Sequence, residues 1–292
     1  MKSNVARTAG FCFGVRRAIK IALVEAAKGP TVYMLGEIVH NEHVVADINQ
    51  SGISVAGKME AIPKAGTILL RAHGSTPRIY QEAAAQGLHL VDATCPMVLE
   101  IHEKAKALEI SGYKVVIIGD HGHDEVLGIA GQLKSSLVFA TPGEAREHRA
   151  FYRKLGVVVQ STQDIENVRA IVFELILKAA EIRFVNTICK PTKDHQEEIR
   201  TLPLENDVMI IVGSFTSANT VRLTGISRSI KQCTYQVQSA ADLQIEWFRG
   251  AKSVGVSAGA STPDYIIQGV VERISRIGDE IEMLKGERVP LW

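Results

Sequence analysis

The stretch Leu90-Val91-Asp92-Ala93-Thr94-Cys95-Pro96-Met97-Val98 shows how this chain is built. Its apolar start predicts a strand that ends near Cys95, and the residues that follow predict a helix over 98–110. Proline directly after the cysteine suits the first turn of a helix, where a missing N–H costs nothing. A cysteine at that place faces the positive end of the helix dipole, which favours a thiolate.

The same arrangement recurs at two further cysteines. Residues 4–12 run from an extended segment through Cys12 toward a helix, and residues 184–189 run from a strand through Cys189 into another helix. A glycine lies 24 residues after each cysteine, behind an apolar run and before a polar loop; these are Gly36, Gly119 and Gly213. A second apolar strand then leads to a Ser-Thr pair, at residues 75–76, 161–162 and 261–262. Glycine and Ser-Thr are common, so a chance register is the alternative, but three matches favour a threefold repeat.

Strands that alternate with helices predict an α/β fold of mainly parallel sheets flanked by helices. We expect three lobes related by pseudo-threefold symmetry. The first is 1–96 with Cys12, the second is 97–188 opened by Cys95, and the third is 189–292 opened by Cys189 and including the carboxyl-terminal tail. Ligands of parallel sheets gather at the carboxyl ends of the strands. Because the cysteines and polar loops all follow strand ends, the repeat predicts one central site.

Composition narrows the class of protein. The 292 residues carry 33 basic and 32 acidic side chains, a net charge of +1, which gives no electrostatic footprint for nucleic acid. No apolar run reaches the length of a membrane span, and the amino terminus does not resemble a signal peptide, so we expect a cytoplasmic protein without a membrane partner. Four cysteines with no C-x-x-C pair argue against a disulfide framework and a closed zinc site. Cys233 lies outside the repeat and is predicted to be buried and apolar.

Polar side chains with chemical potential follow the strands of all three units. His121-Gly122-His123-Asp124-Glu125 resembles the opening of a dinuclear metallohydrolase motif, but position 126 is Val where that motif has His. A carboxyl group beside a histidine is typical of a proton donor, so Glu125 is the candidate acid; a helix N-terminal carboxylate is the alternative. His40 and His73 are candidate ligand-binding residues, or else hydrogen-bonded loop histidines. Residues 258–263 combine small residues with hydroxyls and suit phosphate oxygens.

Three thiolates far apart in the sequence predict an iron–sulfur centre. A [4Fe–4S] cluster normally takes four thiolates. Three would leave one iron open to bind a substrate oxygen as a Lewis acid. Hydroxyls, imidazoles and a carboxylic acid around that iron would hold an anionic substrate and protonate a leaving hydroxyl.

At these residues the chain closely resembles the 4-hydroxy-3-methylbut-2-enyl diphosphate reductase family, also called the IspH/LytB family. The resemblance covers nearly the full length and rests on separate motifs at residues 10–15, 36–41, 71–74, 92–96, 123–126, 186–189 and 258–261. It implies a three-lobed α/β monomer around a [4Fe–4S] cluster. It also implies two-electron reductive removal of the allylic hydroxyl, which gives isopentenyl and dimethylallyl diphosphates, with ferredoxin or flavodoxin as electron donor.

The resemblance assigns roles position by position. Three residues look like the cluster ligands: Cys12, Cys95 and Cys189. Six look like the diphosphate-binding set: His40, His73, His123, Ser217, Asn219 and Ser261. Glu125 looks like the proton donor, with Ser161 and Thr162 near the substrate hydroxyl.

Two departures from the family pattern leave other functions open. The chain has Gln160-Ser161-Thr162 where the family usually has Gln-Thr-Thr, and Ser217-Ala218-Asn219 where it usually has Ser-Ser-Asn. A lost hydrogen bond to a charged group is worth about 1.5–3 kcal/mol, so Ala218 predicts weaker substrate binding or a compensating water. A cluster-bearing sensor, a paralogue acting on another phosphorylated substrate, and a zinc-dependent hydrolase are the alternatives.

Overall fold

The computed structural model describes residues 1–29 and 31–286. Its strands are β1 Lys2–Val5, β2 Val32–Leu35, β3 Ile53–Ala56, β4 Thr67–Leu70, β5 His89–Asp92, β6 Lys114–Ile118, β7 Ser136–Phe139, β8 Tyr152–Val159, β9 Ala179–Phe184, β10 Val208–Val212, β11 Thr234–Val237 and β12 Ser253–Ala258. Its α-helices are α1 Phe13–Ala26, α2 Glu42–Gln50, α3 Pro77–Ala85, α4 Pro96–Ile110, α5 Asp124–Ala130, α6 Pro142–Glu147, α7 Ile165–Leu175, α8 Lys190–Thr201, α9 Ala218–Ile230 and α10 Asp264–Gly286.

The strands form three four-stranded sheets, and every recorded strand pair is parallel. The sheets have the orders β3-β2-β4-β5, β7-β6-β8-β9 and β11-β10-β12-β1. The three sheets therefore share one topology. In each, the strand that precedes the repeat glycine (β2, β6 or β10) is the second strand of the sheet. The glycine N–H donates in each case to the carbonyl that ends the outer strand, from Gly36 to Ala56 (3.3 Å), Gly119 to Phe139 (3.0 Å) and Gly213 to Val237 (2.8 Å). The predicted α/β class with parallel sheets flanked by helices is confirmed.

The first strand pairs in a way that local sequence does not reveal. β1 lies beside β12, with Lys2 opposite Ser253 and Val5 opposite Val256. The segment that leads to Cys12 therefore continues the sheet of the third repeat, although the sequence pattern places Cys12 in a first lobe of 1–96. The lobe boundaries at residues 96 and 188 stay a prediction.

Clustering of contacts divides the chain into two compact units. Unit 1 contains 1–12, 40–44 and the described residues from Lys190 onward, and unit 2 contains 13–39 and 45–189. Unit 1 holds the sheet of β10 and β12, and unit 2 holds the other two sheets.

The cores explain why the central strands read as continuous apolar runs. All five residues of β10 are buried, as are the last five of β8, because helices cover both faces of a parallel sheet. In unit 1, side chains of α10 such as Val270 and Ile274 pack on β10 and β12. None of the helices in the described residues combines the length and apolar character that a membrane span requires.

Candidate active site

The three repeat cysteines occupy equivalent positions. Each follows an edge strand (β1, β5 or β9) and immediately precedes a helix (α1, α4 or α8). Each also donates its backbone N–H to the carbonyl two residues beyond the end of the neighbouring strand. These bonds run from Cys12 to Ala260 (3.1 Å), from Cys95 to Ala72 (3.0 Å) and from Cys189 to Ser161 (3.0 Å). The fold therefore presents three thiols in the same local setting, at three helix N-termini.

The burial of the cysteines separates these three from the fourth. Cys12, Cys95 and Cys189 are half-buried, whereas Cys233 is exposed, and none of the four forms a disulfide. The expectation that Cys233 is a buried apolar residue is wrong. It directly precedes β11, the outer strand of its sheet, and is exposed there. Three partly accessible thiols at helix N-termini are suited to bind a metal centre as thiolates.

In unit 2, Glu125 is fixed by Ser161. The carboxylate is 2% exposed and accepts hydrogen bonds from Ser161 N (2.5 Å, to Oε1) and Ser161 Oγ (2.8 Å, to Oε2). Since the carbonyl of Ser161 accepts from Cys189 N, one residue links the candidate acid to the loop of a candidate ligand. His123 is the N-cap of α5, and its Nδ1 accepts from Glu125 N at 3.1 Å. Glu125, in the first turn of α5, is thus also bonded to the loop after β8.

Two histidines and an arginine surround the start of α5. The rings of His73 and His123 meet edge to face, with 5.6 Å between their centroids. Arg71, in the loop after β4, places Nη1 2.5 Å from the Asp124 carboxylate, and the two side chains are 25% and 20% exposed. Sequence reasoning missed this ion pair, although Arg71 lies in one of the quoted motifs directly after a strand. It fixes the loop of His73 to the helix that begins beside His123.

Gln160 arranges the loop that carries Thr162. Its buried side chain donates from Nε2 to Thr162 Oγ1 (2.9 Å) and accepts from Asp120 N (2.9 Å) at Oε1. The oxygen of Thr162 is thereby held in place next to Ser161, and the loop after β6 is joined to the loop after β8. The first residue of Gln160-Ser161-Thr162 is thus a structural support for the other two.

Unit 1 carries the remaining predicted binding residues. Ser217 is the N-cap of α9 and accepts from Thr220 N at 3.4 Å, while Ser261 Oγ donates to the His40 carbonyl at 3.3 Å. Asn219 is 4% exposed, and within the described residues neither its Nδ2 nor its Oδ1 has a hydrogen-bond partner. Leaving a buried amide unpaired is unfavourable, so Asn219 is set for a ligand with donors or acceptors of its own.

Two glycines make room at the same helix N-terminus. A Cβ on Gly213 or Gly259 would lie 2.7 or 2.0 Å from Thr220 Oγ1, so neither position accepts a side chain without movement. Gly213 also has a φ of +146°, which favours glycine. The backbone can therefore approach the start of α9 closely, beside Asn219. Sequence reasoning missed Ser214 as well, whose hydroxyl donates to Glu42 Oε1 at 2.8 Å.

Comparison with known proteins identifies close relatives. The model of the family described as LytB protein matches residues 4–275. The 4-hydroxy-3-methylbut-2-enyl diphosphate reductase of Geobacter sulfurreducens is 40% identical over 280 residues, which cover 96% of this chain and 99% of that protein. The protein of the same name from Aquifex aeolicus is 41% identical over 282 residues, covering 94% and 96%.

Two solved structures have the same fold. One is (E)-4-hydroxy-3-methyl-but-2-enyl diphosphate reductase, described as the terminal enzyme of the non-mevalonate pathway; it is 40% identical, has a TM-score of 0.68, and the match covers 94% of this chain and 100% of that one. The other is E-1-hydroxy-2-methyl-but-2-enyl-4-diphosphate reductase from Plasmodium falciparum, with 26% identity, a TM-score of 0.88 and coverage of 93% and 87%.

Proposed function

Because this chain belongs to the LytB protein family, we propose that it reduces (E)-4-hydroxy-3-methylbut-2-enyl diphosphate to isopentenyl and dimethylallyl diphosphates, the last step of the non-mevalonate isoprenoid pathway. Two electrons and two protons enter, the allylic C–O bond breaks, and the hydroxyl leaves as water. The observation that carries the proposal is the equivalent placement of Cys12, Cys95 and Cys189, each at a helix N-terminus and each held by its backbone N–H.

The donor set fits a [4Fe–4S] cluster with three protein ligands. Cys12, Cys95 and Cys189 would hold it, since they are the half-buried thiols and no disulfide consumes them. When bound, such a cluster supplies the electrons and an open Lewis-acidic iron for the substrate oxygen. The exposed Cys233 is not part of this set.

The proton for the leaving hydroxyl comes from Glu125. A protonated Glu125 can donate to Ser161 Oγ, which lies 2.8 Å from Oε2, and Ser161 can pass its own proton onward. The Ser161 N–H holds the other carboxyl oxygen, so the acid cannot turn away. Thr162, whose hydroxyl oxygen accepts from Gln160 Nε2 at 2.9 Å, is the second hydroxyl near the substrate hydroxyl.

The diphosphate is bound by His40, His73, His123, Ser217, Asn219 and Ser261. The buried Asn219 gains in the complex the hydrogen bonds that it lacks in the chain alone. The start of α9 adds backbone N–H groups and the positive end of a helix dipole, which favour phosphate oxygens. Imidazoles and hydroxyls supply further donors, so the site neutralises the substrate without a nucleotide-type loop.

We further propose that ferredoxin or flavodoxin delivers the electrons and that the enzyme is a cytoplasmic monomer.

The deciding experiment is anaerobic purification with iron and sulfide analysis, a visible spectrum, and a reduction assay on the allylic diphosphate. Brown protein with close to four irons that consumes the substrate supports the proposal. An iron–sulfur protein that binds the diphosphate without turnover would instead be a sensor or a paralogue with another substrate, and colourless protein with stoichiometric zinc would be a hydrolase.

A further inference from the structure

Backbone hydrogen bonds join both ends of the segment 6–12 to β12 and to the loop that follows it. Ala6 N donates to Val256 O (2.8 Å) and Cys12 N to Ala260 O (3.1 Å). Between them the chain leaves the strand and turns, with Ala9 N on Ala6 O at 3.2 Å and Gly10 at a φ of +99°. The position of the Cys12 thiol therefore depends on what fixes this turn.

Glu198 of α8 fixes it. Its carboxylate accepts hydrogen bonds from Arg7 N (2.7 Å), Thr8 N (2.9 Å) and Thr8 Oγ1 (2.5 Å). The Arg7 side chain adds little, because it is 96% exposed and its Nε is 3.9 Å from the carboxylate. Burial alone would raise the pKa of Glu198, but the hydrogen bonds from Thr8 and Arg7 outweigh burial and lower it. The carboxylate is thus bound as an anion.

His195, one helical turn earlier on α8, holds the same residue from another side. Its ring is 4% exposed and hydrogen-bonds to the Thr8 backbone. Two side chains one turn apart on α8, Glu198 and His195, therefore hold Thr8. This helix begins at Lys190, directly after Cys189.

The other two cysteines have a local counterpart of this contact. Before Cys95, Thr94 N and Thr94 Oγ1 both donate to Asp92 Oδ1, at 2.8 and 2.5 Å. Before Cys189, Ile188 N donates to Asn186 Oδ1 at 3.2 Å. No acidic or amide side chain precedes Cys12 at that spacing, where the chain has Ala9. Glu198 of α8 accepts from the N–H and the hydroxyl of Thr8, four residues before Cys12, as Asp92 accepts from the N–H and the hydroxyl of Thr94, directly before Cys95.

We propose that Glu198, supported by His195, is a positioning residue for Cys12: it fixes the turn at Thr8 so that the Cys12 thiolate stays bound to the cluster. The inference rests on the proposed function, since it takes Cys12 as a cluster ligand. It adds a residue that is not among those assigned to the substrate or to the cluster. Without the carboxylate, two N–H groups and a hydroxyl lose their acceptor, and the segment opens more often.

The test compares Glu198→Ala and Thr8→Val with three controls in the full-length protein. Glu197→Gln alters an exposed neighbour on α8, Thr8→Ser keeps the hydroxyl, and wild type sets the reference. Two quantities are measured: the rate at which a chelator removes iron from the reconstituted holoenzyme, and the alkylation rate of each cysteine, resolved by peptide mass spectrometry, in protein without iron.

We expect Glu198→Ala to raise both the iron-loss rate and the Cys12 alkylation rate more than tenfold, since it removes three hydrogen bonds to a charged group, of which Thr8→Val removes one. Thr8→Val should raise them about threefold, and Thr8→Ser and Glu197→Gln should match wild type. Alkylation of Cys95 and Cys189 should not change.

Equal acceleration of alkylation at all cysteines would mean that the whole structure loosens and would overturn the inference. Cys12 rates that match the Glu197→Gln control would overturn it too. If Glu198→Ala does not fold, the contrast between Thr8→Val and Thr8→Ser decides. A wild-type protein that binds no iron contradicts the proposed function, whereas unchanged Cys12 rates in an iron-binding protein contradict only this inference.

Discussion

Replacing Glu125 by Gln tests the proton donor with little change in shape. The Gln oxygen can still accept from Ser161 N, which lies 2.5 Å from Oε1 in the native chain. The amide nitrogen that replaces Oε2 cannot accept from Ser161 Oγ, but it can donate to it across the same 2.8 Å. The hydrogen bond between residue 125 and Ser161 Oγ therefore remains, but residue 125 is now its donor. No proton can then move from residue 125 to the hydroxyl.

The expected loss follows from this geometry. General acid catalysis by a positioned side chain is worth about 10²–10⁴ in rate, and Gln at position 125 supplies none of it. We expect kcat to fall by about that factor while KM changes less than about threefold, because the residue is not among those assigned to the diphosphate. Cluster content should stay at the wild-type level, since Cys189 N bonds to the Ser161 carbonyl, which the substitution does not alter.

The assay is steady-state reduction of the allylic diphosphate by a chemical reductant under anaerobic conditions, with iron content measured on the same sample. Glu166→Gln is the matched control, because Glu166 is exposed on α7 and pairs with Arg169 at 2.9 Å. A Glu125→Gln enzyme that turns over within threefold of wild type would refute the role of Glu125 as acid. Loss of iron together with activity would refute the separation of acid and cluster, and would mean that the Glu125–Ser161 pair is needed to hold Cys189.

Three further outcomes are expected. Cys95→Ser should abolish the iron content, whereas Cys233→Ser, at an exposed position, should leave it unchanged; equal iron in the two variants would refute the ligand assignment. Asn219→Ala should raise KM about tenfold or more with almost no change in the melting temperature of the ligand-free protein, because the side chain has no hydrogen-bond partner among residues 1–29 and 31–286; a large drop in melting temperature would contradict this. Burial lowers the pKa of His102 to about 4, so the folded protein binds fewer protons than the unfolded chain and should lose stability as pH falls from about 6.5 to 4, by at most about 1.4 kcal/mol per pH unit. His102→Gln should flatten that profile in urea titrations, and the exposed His89→Gln should not.

The fold was predictable because its signals are local and repeated. An apolar strand, a cysteine and a proline-led helix can be read from residues 90–98, and the 24-residue offset identifies the equivalent strands. The apolar pattern predicts the start of α4 at 98, whereas the helix begins at Pro96. The reason is that Cys95, with φ −61° and ψ 131°, is an N-cap and not part of the apolar stripe that periodicity detects.

Contacts between distant residues could not be predicted in the same way. The parallel partner of an edge strand is set by packing, so the sequence of residues 2–5 does not indicate that β12 is their neighbour. The Arg71–Asp124 pair and the Glu125–Ser161 pair likewise join loops that follow different strands. The repeat indicated that such loops lie at strand ends. It did not indicate which side chains would bond to each other.

The departure at Ala218 shows how such contacts change the interpretation of a motif. Residue 218 is the first of α9, directly after the N-cap Ser217. The first N–H groups of a helix have no intrahelical acceptor, so the backbone here offers donors to a phosphate whichever side chain stands at 218. Asn219, whose two polar side-chain atoms have no hydrogen-bond partner in the described part of the chain, offers a further donor beside them. The missing hydroxyl therefore removes one of several donors, and the geometry of α9 favours retention of the diphosphate over a change of substrate class.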